Sequence, residues 1–215
     1  MFRVRSMLLS SEYLREVPIW VVAFLISAGF HEFAHAWTAY RLGDPTAANE
    51  GRMTINPLVH IDPVGLVFLI FMALSGFGIG WAKPVPVNPY NFRNPRQGNM
   101  LVALSGPVMN IILAAFFVML FKIAPGIFTA QNPLSDLLKV FLQINILLAA
   151  FNLLPIYPLD GSHIVEGILP ESAAEGWTRT YPYGFWILIF LLVTRMLYFI
   201  LLPIMRFISF VIGLG

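Results

Sequence analysis

His31-Glu32-Phe33-Ala34-His35 lies inside a long apolar stretch, residues 17 to about 40. On a helix, the two histidines of a His-Glu-x-x-His pattern fall one turn apart on the same face, where both imidazoles can bind one zinc ion. The glutamate beside them is then placed to act as a general base on water. A carboxylate near the middle of a membrane costs about 2.5–3.5 kcal/mol on insertion scales, so an ionisable group there is a functional candidate. The pattern predicts a metalloprotease-type site in a membrane helix, and polar contacts between helices are the alternative.

The composition is that of a membrane protein. Hydrophobic residues make up 58% of the 215 residues and charged residues only 11%, whereas soluble domains carry about 25% charged residues. Five apolar regions stand out, at about 17–40, 64–80, 100–122, 137–155 and 183–213. We therefore expect an all-α polytopic membrane protein with about five to six transmembrane helices, folded as a single domain over residues 1–215.

Cysteine content and charge exclude several classes of function. The chain has no cysteine, so a bound metal must be held by imidazole and carboxylate groups. Its 13 basic and 11 acidic residues are nearly balanced, which gives no indication of nucleic-acid binding. The first apolar stretch continues directly into the His-Glu-x-x-His pattern, so we expect it to be retained and not removed as a signal peptide.

Two apolar regions allow more than one structure. The region at 64–80 is short and interrupted by Gly76, Gly78 and Gly80, so it is either a full span or a re-entrant hairpin. The region at 183–213 is long enough for one tilted helix or for two pieces broken at Pro203.

A proline-rich segment, WAKPVPVNP at residues 81–89, follows the glycine-interrupted region. The proline spacing forbids a helix and favours an extended backbone with unpaired hydrogen-bonding groups. Such a backbone persists near a membrane only where protein or a water-filled cavity satisfies it. The segment is either a strand or loop that lines a substrate groove with Val85 and Val87, pairing with an extended peptide, or an ordinary interfacial loop.

Two histidines leave a catalytic zinc one protein ligand short. The candidates for the third ligand are Glu50, His60, Asp62, Asp160 and His163. Asp160 has the most favourable context, because it ends an apolar region in the sequence NLLPIYPLDG, residues 152–161, whose prolines must distort the helix end. His60 and Asp62 could form a second metal or gating site, and His163 could support a ligand. Each is at least as readily explained as an ordinary hydrogen-bonding residue.

Three elements, in this order, resemble the site-2 protease family of intramembrane zinc metalloproteases. They are the His-Glu-x-x-His at 31–35, the G-P-x-x-N element in SGPVMN at 105–110, and N-x-x-P-x-x-P-x-D-G at 152–161. The resemblance covers about residues 20–165 and sets the core of the domain at about 17–165. With no PDZ-like insertion and no C-terminal CBS-like domain visible, the chain is similar to a compact prokaryotic branch of the family.

The resemblance implies one zinc ion per chain, held by His31, His35 and Asp160, with Glu32 as general base and acid. It implies further polar helpers near the site, namely Asn110 and Asn152. It also implies a multi-pass protein of a prokaryotic plasma membrane that contacts the lipid bilayer and cleaves transmembrane protein substrates. Since a chain of 215 residues with about five spans leaves no room for a sizeable soluble domain, we expect regulatory modules to be absent or to be separate proteins. Asn145 lies in another apolar region, and we interpret it as a residue that hydrogen-bonds to a neighbouring helix.

Two other functions explain parts of the sequence. A non-hydrolytic metal-binding membrane protein or transporter would use histidine and carboxylate groups as an ion path, but the hydropathy shows no inverted repeat. A serine intramembrane protease would pair Ser75 or Ser105 with His60 or His163. That alternative leaves the His-Glu-x-x-His pattern unexplained.

Overall fold

The computed structural model describes residues 11–75, 80–129 and 133–214. The α-helices are α1 (Ser11–Arg41), α2 (Thr46–Asn49), α3 (Pro63–Ser75), α4 (Pro95–Ile123), α5 (Pro133–Asn152), α6 (Asp160–Ile168), α7 (Glu171–Thr178), α8 (Tyr181–Val193) and α9 (Met196–Val211). Short 3₁₀ helices occur at Pro57–His60, Pro89–Asn91 and Pro125–Phe128. Within the described ranges no strand is present, and the predicted all-α class is confirmed.

Prolines set the starts of several helices. α3, α4 and α5 each begin at a proline, in the first turn, where the missing N–H has no intrahelical partner in any case. At α4 the side chain of Asn94 caps the helix by accepting from the N–H of Gln97. The local sequence therefore defines where these three helices begin.

Three of the described helices are long and apolar enough to cross a membrane: Val17–Arg41 within α1, all of α4, and Leu134–Asn152 within α5. α8 and α9 are bent by 93° relative to each other and make a fourth if the pair is one span. The predicted number of five to six spans is therefore not confirmed. α3, with 13 residues, is about 20 Å long, whereas the hydrocarbon core of a bilayer is about 30 Å thick.

The two ambiguous apolar regions are partly resolved. The region at 64–80 contains the short helix α3, while Gly76 and Gly78 lie outside the described residues. The region at 183–213 forms two pieces, but the break is at Arg195 and not at Pro203, which lies inside α9. Arg195 has a φ of 61°, the left-handed conformation that ends α8 and turns the chain into α9.

α1, α4 and α5 form the centre of the molecule. α1 packs against α4 and α5, α4 packs against α5 and α6, and α9 packs on α5. Polar side chains are buried along these contacts, among them His31 on α1, Asn110 on α4 and Asn145 on α5, whereas large apolar side chains such as Phe116 are exposed. Polar groups inside and apolar groups outside are expected where helices are surrounded by lipid.

Residues 81–88, here called the strap, form neither helix nor strand. This agrees with the extended backbone that the proline spacing predicts. The Val85 side chain is buried in a small cluster with Ala36 of α1 and Ala47 of α2, and Val87 packs partly buried against it. The strap therefore lies against the C-terminal half of α1, close to residues 31–35.

Candidate metal centre

The two histidines of α1 face each other across one helical turn. Both are buried, their rings are nearly perpendicular with centroids 4.6 Å apart, and their Nε2 atoms are 3.0 Å apart. The i, i+4 spacing on a helix places them on one face, as the sequence pattern predicts. The Nε2 pair is the first half of a possible metal site.

Asp160 completes the group. Its Oδ2 atom lies 3.1 Å from His31 Nε2 and 3.4 Å from His35 Nε2. α5 ends at Asn152, and α6 begins at Asp160 itself, so the intervening prolines break the helix and the carboxylate turns back toward α1. Among the described residues, these three form the only group of metal-binding side chains with three or more members.

A tight turn places Asp160. The next residue, Gly161, packs so closely that an added Cβ would clash with the Leu154 carbonyl oxygen and lie 2.5 Å from that of Leu153. No real Cβ makes contacts this short, so any other residue at this position would displace the turn. The glycine after the aspartate thus has a steric role in directing the carboxylate.

The geometry of the three donors fits zinc. In a tetrahedral site with metal–ligand bonds of about 2.0–2.2 Å, neighbouring donor atoms lie about 3.3–3.6 Å apart, comparable to the observed 3.0, 3.1 and 3.4 Å. Asp160 Oδ2 is buried and has no hydrogen-bond donor. Imidazole and carboxylate are also a donor set that suits zinc.

The other nitrogen of each ring has its own partner. His35 Nδ1 donates to the Val102 carbonyl at 2.7 Å, and His31 Nδ1 contacts Asn110 Oδ1 at 2.6 Å. Both acceptors belong to α4. With hydrogen on Nδ1, each neutral ring turns an Nε2 lone pair toward Asp160, so three acceptors converge on one point, which a cation would satisfy.

The G-P-x-x-N element explains how α4 approaches this closely. A Cβ on Gly106 would lie 2.5 Å from ring atoms of both His31 and His35, so the absence of a side chain makes room for the two imidazoles. Asn110, one turn further along the same helix, then reaches His31. The predicted helper Asn152 donates from Nδ2 to the Leu148 carbonyl of its own helix at 3.0 Å, and its role near the site stays a prediction.

The rival third ligands have other contacts. His60 is buried with Nε2 2.9 Å from the Thr54 carbonyl, and Asp62 accepts from the N–H of Gly65 at the start of α3. His163 lies near the side chains of Asn99, Glu166 and Tyr181. None of these side chains, nor that of Glu50, belongs to the group of three.

For Ser105, the serine alternative finds no support in these contacts. The Ser105 hydroxyl donates to the Val102 carbonyl at 2.6 Å and lies 3.5 Å from His35 Nδ1. No contact with His60 or His163 is found for it among the described residues. His35 Nδ1 already donates to the same carbonyl, so it is not free to accept a serine proton.

Glu32 contacts the strap. It is buried, and one carboxylate oxygen, Oε2, accepts from the Val85 N–H at 2.8 Å. The carbonyl of the same peptide group, that of Pro84, accepts from Arg52 Nη2 at 3.2 Å, and the preceding carbonyl of Lys83 accepts from it at 2.9 Å. The Pro84–Val85 peptide dipole therefore lies between a guanidinium at its oxygen and a carboxylate at its N–H, which favours both contacts.

Asp44 fixes the other end of the strap. It is fully buried and accepts from the Asn88 N–H and the Asn91 side chain, each at 2.7 Å, and from Thr46. Burial alone would raise the pKa of Asp44, but these hydrogen bonds outweigh burial and lower the pKa. Sequence reasoning missed both Arg52 and Asp44, because their contacts with the strap and with Asn91 join groups 31–47 residues apart.

A buried His-Glu-x-x-His pair on a helix that can span a membrane, with a carboxylate beside it, is the pattern of a membrane metalloprotease site. Comparison with known proteins agrees. A model of peptidase family M50 matches residues 121–194, which include Asp160. The chain belongs to peptidase family M50.

Similar proteins carry the same class of name. A Bacillus subtilis (strain 168) protein named "Putative zinc metalloprotease YwhC" is 39% identical over 195 residues, covering 88% of this chain and 87% of the relative. A Mycolicibacterium smegmatis protein named "Putative zinc metalloprotease Rip2" is 30% identical over 178 residues, covering 81% of this chain and 66% of the relative. No solved structure matches the chain significantly. Together with the family model, these relatives support a metalloprotease.

Proposed function

We propose that the protein is an intramembrane zinc peptidase that hydrolyses peptide bonds of membrane-protein substrates within or near the bilayer. The observation that carries this proposal is the convergence of His31, His35 and Asp160 inside the bundle of α1, α4 and α5. The site lies on a helix long and apolar enough to span a membrane. Substrates that reach it are therefore segments of other membrane proteins.

In this proposal His31, His35 and Asp160 hold one zinc ion per chain. When bound, zinc supplies Lewis-acid chemistry, acidifying water and polarising the scissile carbonyl. Glu32 takes a proton from the attacking water onto its carboxylate and passes it to the leaving nitrogen. The Val85 N–H, through its hydrogen bond to Glu32, keeps that carboxylate in one orientation on the side of α1 that faces the strap.

The strap is proposed to hold the substrate in an extended form. The N–H of Val87 and the carbonyls of Val85 and Val87 have no hydrogen-bond partner among the described residues, so they are available to pair with an extended peptide. The Val85 side chain faces the protein, so in this proposal Val85 lines the groove with its backbone groups. A helical substrate must unwind first, because its own hydrogen bonds hide the scissile carbonyl.

Partners and location follow from this proposal. The protein contacts the lipid bilayer through its exposed apolar side chains, takes transmembrane proteins as substrates and does not act on nucleic acid. We propose the plasma membrane of a prokaryote as its location.

The test is cleavage of a model transmembrane peptide by purified protein. Glu32→Gln should keep zinc but lose cleavage by a factor of about 10²–10⁴, because the amide has nearly the same shape and cannot carry the proton. Chelation by 1,10-phenanthroline should abolish cleavage and added zinc should restore it, while serine-directed reagents should have no effect. Cleavage by zinc-loaded Glu32→Gln at the wild-type rate would contradict the proposed mechanism.

A further inference from the structure

Two buried amide side chains connect the metal centre to α5. Asn110 and Asn145 are both fully buried. Asn110 Oδ1 faces His31 Nδ1 at 2.6 Å, and Asn110 Nδ2 donates to Asn145 Oδ1 at 2.9 Å. Asn145 does not touch any proposed metal ligand. A role as a contact between helices does not explain why Asn110 turns its amino group toward Asn145 and its oxygen toward His31.

Backbone carbonyls determine that direction. Asn145 Nδ2 lies 2.8 Å from the carbonyl oxygen of Phe141, which can only accept. The amino group of Asn145 must therefore face Phe141, and its Oδ1 must face Asn110. The Ser27 carbonyl, 3.4 Å from Asn110 Nδ2, favours the same orientation of Asn110.

The orientation of the Asn110 amide determines which nitrogen of His31 carries hydrogen. With its amino group held toward Asn145, Asn110 presents its oxygen to His31, and an amide oxygen can only accept. His31 must then carry hydrogen on Nδ1, leaving the Nε2 lone pair directed at Asp160 Oδ2, 3.1 Å away. If the Asn110 amide were reversed, hydrogen would move to Nε2 and point into the metal centre.

We propose that Asn145 is a positioning residue of the metal centre, which holds the Asn110 amide in the orientation that keeps His31 Nε2 free to bind metal. The inference rests on the proposed zinc site and adds to it a residue on a third helix. His35 needs no such chain, because its Nδ1 donates directly to the Val102 carbonyl. Changes at Asn145 therefore act on one ligand of the three.

Ser27 provides the matched control. Asn145 Nδ2 also donates to the Ser27 hydroxyl at 2.9 Å, a hydrogen bond that joins α5 to α1. Ser27→Ala removes this link between helices but leaves the carbonyls of Phe141 and Ser27 in place, so the orientation of both amides is kept. A role limited to joining helices predicts similar losses for Ser27→Ala and Asn145→Leu, whereas the positioning role predicts a loss for Asn145→Leu alone.

The experiment measures zinc affinity by chelator competition on the full chain purified in detergent, with thermal unfolding recorded in parallel. Asn145→Leu should bind zinc about 10–100-fold more weakly, as is typical when a partner of a ligating histidine is lost. Ser27→Ala should stay within about threefold of the wild type, since the chain that orients His31 is intact. Asn145→Asp should also stay within about threefold, because the buried carboxyl in its protonated form still donates to the Phe141 carbonyl and still accepts from Asn110.

Wild-type zinc affinity in Asn145→Leu, or equal losses in Asn145→Leu and Ser27→Ala, would overturn the positioning role of Asn145. The proposed zinc site itself would not be contradicted by either result. If Asn145→Leu does not fold, Asn145→Asp decides: retained affinity supports the proposal, and a loss of about tenfold or more overturns it. A wild-type protein without zinc affinity would overturn the proposed function as well.

Discussion

The two nitrogens of each histidine ring face different groups. The Nδ1 atoms of His31 and His35 donate to groups on α4, and the Nε2 atoms point toward Asp160. The ring orientations are therefore set by the protein itself, which reduces what must be ordered when a metal binds. The same crowding that orients the rings makes the neighbouring glycine at 106 essential for the site.

Gly106→Ala should disrupt the metal centre. The added Cβ would lie 2.5 Å from ring atoms of both histidines, so the rings or α4 must move, at a cost of about 1–3 kcal/mol. We expect zinc affinity to fall about tenfold or more, and cleavage to fall with it. Chelator competition and the peptide assay would measure both.

Gly176→Ala is the control for that change. Gly176 is also helical, on α7, and a Cβ there meets nothing within 4 Å. It should bind zinc and cleave peptide as the wild type does. Wild-type zinc affinity in Gly106→Ala would show that the close packing of α4 on the histidines is wrong.

Three side chains, one on α1 and two in the segment that follows it, hold the strap. Arg52 holds the carbonyls of Lys83 and Pro84, Glu32 holds the Val85 N–H, and Asp44 holds the Asn88 N–H. A backbone segment without helix or strand is thereby fixed by side chains from outside it. Loosening the strap should alter the orientation of Glu32 without removing any metal ligand.

Arg52→Gln should therefore separate cleavage from zinc binding. The shorter, neutral amide cannot hold both carbonyls, and a displacement of a reacting group by about 1 Å can lower a rate about 100-fold. We expect zinc affinity near that of the wild type and a clear loss in kcat. Lys83→Gln, which removes an exposed positive charge on the strap but none of these contacts, should change neither; zinc loss in Arg52→Gln would contradict this account.

The sequence predicted the parts of the site that depend on local spacing. His31 and His35 follow from helical periodicity, and Asp160 followed from a proline-broken apolar region ending in Asp-Gly, a position that the structure brings to the pair. The metal role of all three stays a prediction. Arg52 and Asn145 could not be assigned in this way, because their importance depends on groups brought together only by the packing of distant segments.

The number of membrane spans also could not be predicted from the sequence. Hydropathy counts apolar residues, but it does not distinguish one 30-residue span from two helices at 93°, and it gave no sign that Arg195 would adopt a left-handed conformation. α3 has the composition of a membrane helix and less than the usual length. Length and bending, not composition, explain the difference from the predicted five to six spans.

Zinc should stabilise the whole chain, since the donors lie on α1 and at the start of α6. A ligand at 100 times its Kd stabilises the folded state by about 2.7 kcal/mol, which corresponds to a Tm increase of about 5–10 °C for a chain of this size. Removing zinc with 1,10-phenanthroline should lower the Tm accordingly, and Glu32→Gln should show the same decrease. An unchanged Tm on removal of bound zinc would contradict a site that joins these helices.

The most direct test of the central claim is the zinc content of Asp160→Ala beside that of His60→Ala, measured on purified full-length protein by elemental analysis. Asp160 Oδ2 lies within 3.4 Å of both histidine Nε2 atoms, whereas His60 is buried against the Thr54 carbonyl. The account predicts that Asp160→Ala loses zinc and cleavage and that His60→Ala keeps its zinc. Zinc retained by Asp160→Ala and lost from His60→Ala would contradict the proposed metal centre.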